Sequence, residues 1–390
     1  MLQMPFKPRA QILLQLGEQL IKNENIAILE LVKNAYDADA KKVVVNMHSV
    51  DSKDTGYIEI HDDGCGMSID IIRDIWMEPG NSHKKGVVER KERSELGRLP
   101  IGEKGIGRFG VHKLGKVIEL VSKMERRQEV ALNIDWRIFE NAEYLSDVNI
   151  DIQEREPEIF KDGKTGTYIR IRNLSTNWTR GMLRNLHRSL TALNSPFDSN
   201  QSFKVVLKTD KSEWLEGLIS FKDIKEYALF ECDMKLEKNE ITKFEYNFRP
   251  YDVMYGISKR KVVFDKTVIM RKRVNKNGKN DFEDINLSKY EIGDIRIKIY
   301  AFDRDSSILN NFIPDKAAFK NYLDENGGIS VFRDGMRILD YGEPDNDWLG
   351  LDLKRVNAPT KNLSNNIILG AVYLDRDNSG DLKEKANREG

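Results

Sequence analysis

The chain has 390 residues, enough for two or three domains of ordinary size. Its composition of 39% hydrophobic and 32% charged residues excludes a disordered chain and a membrane-spanning one. The 63 basic and 63 acidic residues balance, so no overall charge attracts nucleic acid or an anionic membrane. Cys65 and Cys232 lie far apart in the sequence, which excludes a disulfide scaffold and fits a reducing, cytoplasmic compartment. The N-terminal residues have no long apolar run, so neither a targeting signal nor a membrane contact is expected.

Hydrophobic spacing predicts an α+β fold. Apolar residues at three-to-four spacing indicate an amphipathic helix over 9–21, and Asn23 or Asn25 can cap a second helix over 26–40. The strand-like runs are 42–47, 57–61, 117–122, 130–134, 167–171, 203–207, 261–264, 295–302, 329–332 and 367–374. Helices followed by several strands predict helices on one face of a mixed sheet, and the runs after residue 200 predict a second α/β unit.

The composition changes abruptly between residues 80 and 104. From Lys84 to Glu95 eight of twelve residues are charged, so this stretch cannot be core. It is either a solvated surface excursion or a mobile lid beside a site.

The predicted second helix carries a polar stripe. Glu30, Asn34 and Asp37 are spaced i, i+4 and i+7, which places them on one helical face. An amide oxygen is a hard ligand for a hydrated divalent ion, and a neighbouring carboxylate can polarise water. Ordinary solvent-exposed polar residues would give the same pattern.

A second motif follows the predicted strand 57–61. The sequence Asp62-Asp63-Gly64-Cys65-Gly66-Met67 places a carboxylate at the strand tip, before glycines that let a ligand ring approach the backbone. A buried carboxylate here could accept a hydrogen bond from an exocyclic amine such as that of adenine, with Met67 packing on the ring. An acidic turn is the alternative interpretation.

A third motif is rich in glycine. Successive backbone N–H groups in residues 101–110, at the start of a helix, can form a phosphate cradle. The candidate contacts are Gly102, Lys104, Gly105, Ile106 and Gly107. Residues 105–110 also match the dinucleotide fingerprint G-x-G-x-x-G, but the preceding SELGRLPIGEK is not a strand, as that fingerprint requires.

Together, in this order within the first 110 residues, the three motifs resemble the ATPase superfamily of gyrase, HtpG-type chaperones, histidine kinases and MutL, known as GHKL or the Bergerat fold. The fourth element of that family, a Gly-Thr strand, has its match at 166–171. The resemblance covers about residues 10–190. It implies an α/β sandwich at 1–200 that binds ATP and Mg²⁺, with a lid at about 80–104.

The resemblance also implies roles for individual residues. Glu30 matches the general base that orients water, and Asn34 matches the Mg²⁺ ligand. Asp62 matches the carboxylate that reads the adenine amine, with Thr167 beside it. Asp37 matches a more structural position. Gly64 and Gly66 match the turn under the base. Gly102, Gly105 and Gly107 match the phosphate loop.

Residues 201–390 resemble a chaperone-type middle, or transducer, domain less closely. Runs at 328–337 and 368–375 look like its strands, and Arg388 matches an arginine supplied to the γ-phosphate. An exposed tail arginine is the alternative. The other candidates for that charge are Arg333, Arg337, Lys354 and Arg355. Because the chain ends directly after this motif, we expect a further C-terminal part to be missing.

The sequence therefore predicts a Mg²⁺-dependent ATPase that works as a nucleotide-driven clamp, of a chaperone-like or a DNA-transaction or defence type similar to MutL or MORC. No histidine lies in a helical hairpin before the core, so a sensor kinase is not expected. A basic run at 271–279 could contact nucleic acid or be a solvated loop. Homodimerisation follows only from the resemblance, and the client is open. The alternatives are an ATP-binding switch with negligible turnover and an NAD-linked oxidoreductase.

Overall fold

The computed structural model describes residues 6–80, 93–98, 100–101, 107–198, 203–264, 268–269, 271–276, 279–285, 290–338, 341–358, 362–375, 378–379 and 381–382. The chain divides into two compact units. The first comprises Met1–Ala192 with Gln201–Glu216, and the second Leu193–Asn200 with Gly217–Gly390. Across these described ranges, no helix combines the length and the apolar character needed to cross a bilayer.

The first unit contains helices and strands in alternation. Its helices are α1 (Ile12–Leu20), α2 (Glu24–Asp37), α3 (Ile69–Ile71, continued by a π-helical turn Ile72–Trp76), α4 (Arg137–Asn141) and α5 (Arg180–Ala192), with 3₁₀ turns at Gly107–Lys113, Leu145–Asp147 and Ser212–Trp214. Its strands are β1 (Lys42–His48), β2 (Tyr57–Asp62), β3 (Gly115–Lys123), β4 (Glu129–Asp135), β5 (Ile152–Arg155), β6 (Gly166–Leu174) and β7 (Lys204–Thr209).

The strands of this unit form one mixed sheet. In the described part of the chain the sheet has seven strands in the order β5-β4-β3-β6-β2-β1-β7. Neighbouring strands are antiparallel, except that β1 and β7 run parallel. Val43, Val45 and Met47 alternate along β1 and are fully buried, so one face of the sheet supports the core. The predicted α+β fold is confirmed.

Helix α2 carries the polar stripe and is held in place by its N-terminal cap and its buried residues. The Asn23 side chain caps the helix by accepting a hydrogen bond from the Ile26 N–H at 3.0 Å. The helix therefore starts at Glu24, two residues earlier than the sequence predicts. It ends at Asp37 rather than residue 40, because Asp39 adopts a left-handed backbone with φ of 60° that cannot continue a helix. Eight of its residues are buried, which fixes the helix against the sheet.

The division between the units differs from the predicted boundary at residue 200. The strand expected at 203–207 as part of the second domain is β7, and it pairs in parallel with β1 of the first unit, Val205 opposite Val43. Residues 193–200 instead belong to the second unit, where the Arg337 N–H donates to the Leu193 carbonyl at 3.0 Å. Strand pairing between distant residues sets this division, and local composition does not report it.

The second unit contains a second sheet. Its helices are α6 (Phe221–Ile224, continued by a 3₁₀ turn Lys225–Tyr227), α7 (Ser306–Phe312), α8 (Lys316–Asn326) and α9 (Leu351–Asn357), with a 3₁₀ turn at Asn365–Ile367. Its strands are β8 (Phe230–Glu237), β9 (Glu240–Phe248), β10 (Arg260–Phe264), β11 (Val268–Ile269), β12 (Arg271–Lys276), β13 (Lys279–Asp284), β14 (Ile295–Ala301), β15 (Gly328–Arg333), β16 (Met336–Ile338) and β17 (Ile368–Leu374).

Aromatic packing supports this second sheet. As described, its strands follow the order β10-β9-β8-β14-β17-β15-β16, with β11 also on β9, while β12 and β13 form a separate hairpin. Phe302, Phe319 and Leu323 are buried in one cluster beside the sheet. The described residues of the basic run at 271–279 lie on β12 and β13, where Arg271 and Lys272 pair with the acidic Asp284 and Glu283 at 2.8 and 3.5 Å. This compensation weakens the case for nucleic-acid contact.

One buried carboxylate ties the outer strands of the first sheet to the following loop. Glu129 on β4 is completely buried, and its two oxygens accept backbone hydrogen bonds from Glu158, Ile159 and Phe160 at 2.9 to 3.2 Å. The Arg155 guanidinium contacts the same carboxylate at 3.0 Å. Because these donors share one acceptor, its removal breaks all of these contacts, including the one to the N–H of the buried Phe160.

We therefore expect Glu129→Ala to lower the free energy of unfolding by about 3–5 kcal/mol, the cost of breaking a buried charge network. Urea unfolding followed by circular dichroism measures it. Glu154→Ala removes an exposed carboxylate from neighbouring β5 and should change stability by less than about 0.5 kcal/mol. Equal effects of the two substitutions would contradict this account of the loop.

Candidate functional site

A cavity of about 470 Å³ opens beside α2 in the first unit. Its wall combines part of α2, the end of β2 with its following turn, the middle of β3 and β6, and residues 93–100. The residues that line it are Leu31, Asn34, Ala35, Asp37, Ala38, Ile60, Asp62, Cys65, Gly66, Met67, Ile71, Ile75, Trp76, Arg93, Ser94, Arg98, Pro100, Val111, Ile118, Leu120, Trp136, Thr167 and Ile169. The cavity thus brings the first two motifs and the Gly-Thr strand together.

The polar stripe of α2 contributes two side chains to this cavity. Asn34 and Asp37 line it, and the Asp37 Oδ1 accepts a hydrogen bond from the Ile101 N–H at 2.7 Å. Glu30 lies one turn earlier, and among the described residues it does not line the cavity. Its carboxylate instead forms an ion pair with the buried Lys33, Oε1 to Nζ at 3.0 Å.

Asp62 is the buried carboxylate of the site. It is the last residue of β2, and its side chain is 8% exposed. Its Oδ1 accepts hydrogen bonds from the Gly64 N–H at 2.9 Å and the Thr167 N–H at 3.2 Å. Burial is the largest influence and raises the pKa of Asp62 to about 6, although these two bonds oppose it. The cavity therefore contains a carboxyl group whose charge has few compensating donors.

The turn after Asp62 packs too closely for any side chain at Gly66. Its backbone has φ of +68°, and a Cβ atom there would lie 2.0 Å from the Lys123 carbonyl oxygen. The next residue, Met67, donates its N–H to the Ser122 hydroxyl at 2.9 Å. Glycine at this position therefore lets the turn lie directly against β3.

A chain of hydroxyl groups links the turn to the Gly-Thr strand. The Ser122 hydroxyl lies 3.0 Å from the Thr167 hydroxyl and donates to the Gly166 carbonyl at 3.0 Å. Thr165 donates its hydroxyl to the Gly64 carbonyl at 2.8 Å. Thr167 was predicted to lie beside Asp62, and its backbone N–H contacts that carboxylate. Ser122 and Thr165 were not predicted, because single hydroxyl residues in strands give no sequence signal.

The end of the charged excursion is built into the wall of the cavity. Arg98 is only 5% exposed; it donates to the Ala40 carbonyl at 2.6 Å, and its guanidinium lies 4.4 Å from the Tyr36 ring centroid. The Asp39 carboxylate accepts from the Leu96 N–H at 3.1 Å. The described residues of the predicted lid, 93–98 and 100–101, are therefore attached to the end of α2.

Most of the remaining lining is apolar and suits a flat ring, with Arg93 and Ser94 as polar exceptions. Ile60, Ile118 and Leu120 come from neighbouring strands, and Met67 and Trp136 extend the surface. A planar heterocycle can bury its faces against such a wall while an exocyclic N–H donates to the Asp62 carboxylate. Binding of that kind depends on shape and on one polar contact.

Some predicted residues lie outside the described part of the chain. They are Gly102, Lys104, Gly105, Ile106 and Arg388. Gly107 begins a 3₁₀ helix, Gly107–Lys113, rather than an α-helix. Of the alternative cations, Arg337 lies in the second unit with 8% exposure and pairs with Glu343 at 3.0 Å.

The donor set near α2 fits magnesium better than a protein-caged metal. Within the described residues, no group of three or more His, Cys, Asp or Glu side chains could hold an ion. Mg²⁺ commonly takes only one or two protein ligands and fills its octahedron with phosphate oxygens and water. A single amide oxygen from Asn34, at the edge of a cavity large enough for a nucleotide base, is consistent with that mode.

Comparison with known proteins gives two similarities. Residues 22–167 match the family model described as histidine kinase-, DNA gyrase B- and HSP90-like ATPase. In addition, 107 residues are 32% identical to a protein of Herpetosiphon aurantiacus with the provisional name type II restriction enzyme HgiDII. This stretch is 27% of the present chain and 16% of the relative's length, so the similarity extends over a small part of that protein.

Asp62 provides a test of the site's electrostatics. Since its pKa rises from 3.8 to about 6 on folding, its charge destabilises the folded protein above pH 6, and the penalty fades as the pH falls toward 4. We expect Asp62→Asn to raise the free energy of unfolding at pH 7 by about 2–3 kcal/mol, and by less at pH 5. Denaturant unfolding at both pH values measures the difference.

The control is Asp54→Asn, which removes an exposed carboxylate and should leave stability within about 0.5 kcal/mol at either pH. A destabilised Asp62→Asn protein at pH 7 would contradict the stated cost of this buried charge.

Proposed function

Residues 22–167 belong to the histidine kinase-, DNA gyrase B- and HSP90-like ATPase family, and from this premise we propose that the protein binds ATP with Mg²⁺ in the cavity beside α2 and hydrolyses it. The observation that carries the proposal is the convergence of Asp62 and Asn34 on one apolar cavity, although 28 positions (62 − 34) separate them in sequence. One carboxylate and one amide are the polar groups that base recognition and metal binding require.

Base recognition rests on Asp62. The Gly64 and Thr167 N–H groups hold its carboxylate in place, so that it accepts a hydrogen bond from the adenine amine while Met67 and Ile118 contact the ring faces. A guanine ring would present a carbonyl where adenine presents its amine. The buried carboxylate would then receive no hydrogen bond from the ligand at that position. This contact therefore favours adenine over guanine.

Asn34 and Glu30 have separate tasks in the reaction. Asn34 would hold Mg²⁺, which, when bound, neutralises charge on the phosphate oxygens. Glu30, one helical turn away, accepts the proton of the attacking water as a general base. Glu30 is not among the residues that line the apolar cavity. This position is consistent with its task, because the phosphates of a bound nucleotide would extend away from the base.

The coupling of hydrolysis to movement rests on the segment after α3. We assign residues 80–104, of which 81–92, 99 and 102–104 lie outside the described part of the chain, as a lid that closes the cavity when nucleotide binds. Arg98 and Asp37 attach its described residues to the end of α2. The first unit would act as the ATPase domain and the second as a transducer that converts closure into a clamp-like change. Arg388 or another second-domain cation would supply charge to the γ-phosphate.

The biological setting is a chaperone-like or a DNA-transaction or defence ATPase working as a homodimer in the cytoplasm. The name of the similar protein, a type II restriction enzyme, supports the DNA-transaction or defence setting. Arg271 and Lys272, the basic residues considered for nucleic-acid contact, pair with acidic neighbours, so we do not assign that hairpin to nucleic acid.

A second candidate is an ATP-binding switch with negligible turnover. The observation in its favour is the Glu30–Lys33 ion pair, which occupies the carboxylate proposed as the base. An NAD-linked oxidoreductase is not supported, because the described residues before the glycine fingerprint, 93–98 and 100–101, contain no strand.

One substitution, Glu30→Gln, distinguishes an effect on ATP turnover from an effect on ATP binding. We expect Glu30→Gln to reduce kcat for ATP hydrolysis by about 100-fold or more, because an amide cannot accept the proton of water, while the Kd for ATP changes by less than about threefold. Phosphate release and calorimetric ATP titration measure the two quantities. Equal turnover in both proteins would support the switch, and saturable NADH binding without ATP binding would contradict the proposal.

Cysteine alkylation gives an independent test of where the nucleotide binds. Cys65 lines the cavity, whereas Cys232 lies on β8 of the second unit. ATP with Mg²⁺ should slow modification of Cys65 by N-ethylmaleimide at least about tenfold at concentrations well above Kd, without a comparable change at Cys232. Peptide mass spectrometry quantifies both sites, and unprotected Cys65 would place ATP elsewhere.

A further inference from the structure

A buried lysine lies beside the proposed general base. Lys33 is 5% exposed although it is on the same helix as the polar stripe, and its Nζ contacts the Glu30 Oε1 at 3.0 Å. The Glu30 side chain is 17% exposed. Among the described residues, this is the one ion pair recorded for Lys33. An ammonium group removed from water in this way needs a charged partner, and Glu30 supplies it.

Helix geometry places the lysine on the opposite side of Glu30 from the cavity. At about 100° per residue, Asn34 is displaced from Glu30 by about 40° in one direction and Lys33 by about 60° in the other. Of the other cavity-lining residues of α2, Leu31, Ala35 and Ala38 lie further round on the Asn34 side, and Asp37 lies within about 20° of Glu30. Lys33 therefore contacts the carboxylate from the side away from most of the cavity lining.

Catalytic bases commonly have a second group that orients them. A nucleophile or water is activated by a base, and the base is in turn fixed by a hydrogen bond from a third residue. Glu30 has three rotatable bonds before its carboxylate and would otherwise sample several rotamers. The Lys33 ammonium limits these rotamers through a charge-assisted hydrogen bond from a side chain that is itself immobilised by burial.

We propose that Lys33 is a positioning residue for ATP hydrolysis, which holds the Glu30 carboxylate oriented toward the water beside the γ-phosphate. The inference rests on the proposed function, because it needs Glu30 to be the base. It differs from the switch interpretation of the same contact, in which Lys33 withdraws Glu30 from the reaction. The positioning proposal and the switch interpretation predict opposite changes in ATP turnover when the lysine is removed.

The experiment measures kcat and KM for Mg²⁺-ATP in the full chain. We expect Lys33→Met to lower kcat by about tenfold to a hundredfold with KM changed less than about threefold, since the lysine acts on the base and not on the nucleotide. Lys33→Arg keeps the charge and should recover activity to within about fivefold of the wild type. Lys211→Met breaks a Lys–Asp pair of 2.8 Å in the same unit, away from the cavity, and should not change kcat.

A double variant distinguishes positioning from general stabilisation. If Lys33 acts only through Glu30, Glu30→Gln/Lys33→Met should turn over no more slowly than Glu30→Gln. Thermal unfolding identifies a variant that fails to fold, in which case Lys33→Arg provides the kinetic comparison. Glu30→Ala should unfold at a lower temperature than Glu30→Gln, because alanine leaves the buried ammonium unpaired while glutamine retains an oxygen acceptor.

Three results would overturn the inference while leaving the ATPase intact. They are unchanged or faster turnover in Lys33→Met, a loss of ATP affinity as large as the loss of kcat, and a Lys33→Met effect that persists in the Glu30→Gln background. A wild-type protein that does not hydrolyse ATP, or a fully active Glu30→Gln variant, would instead remove the proposed function and the inference with it.

Discussion

The site depends on keeping a charged carboxylate in an apolar wall. Asp62 has two backbone N–H donors and no cationic partner among the described residues, so at neutral pH its charge costs stability in the empty protein. A ligand N–H donor would offset this cost, which means that the same group that weakens the fold strengthens binding. A cation beside Asp62 would have stabilised the fold and competed with the ligand. For the proposed recognition of an adenine amine, the carboxylate therefore has to remain undercompensated.

Close backbone packing holds that carboxylate in position. Gly66 lies against the Lys123 carbonyl, and at Gly166, with φ of +140°, a Cβ atom would come within 2.1 Å of the Asp62 carbonyl oxygen. Either contact would move the end of β2 if a side chain were added. The hydroxyl of Ser122 contacts both the turn after β2 and the strand β6. The position of Asp62 thus follows from three strands and not from its own turn.

Much of the site could be predicted because its signals are local. Periodicity on one helix gave the stripe of Asn34 and Asp37, and a strand ending in D-x-G-x-G gave Asp62. What the sequence could not predict depends on distant pairs. Ser122 contacts Met67, 55 positions away, and Arg98 donates to Ala40, 58 positions away. The domain boundary differed for the same reason, since the parallel pairing of β7 with β1 leaves no trace in composition.

Asp62 and Glu30 differ in their surroundings. Asp62 is buried at the end of a strand with neutral donors, and it is suited to accept a hydrogen bond from a neutral amine. Glu30 is partly exposed and pairs with the buried ammonium of Lys33. A carboxylate that must take a proton has to be ionised and hydrated at the start of the reaction, whereas one that reads a base has to be dry. Under the proposed function, this difference in environment assigns base recognition to Asp62 and hydrolysis to Glu30.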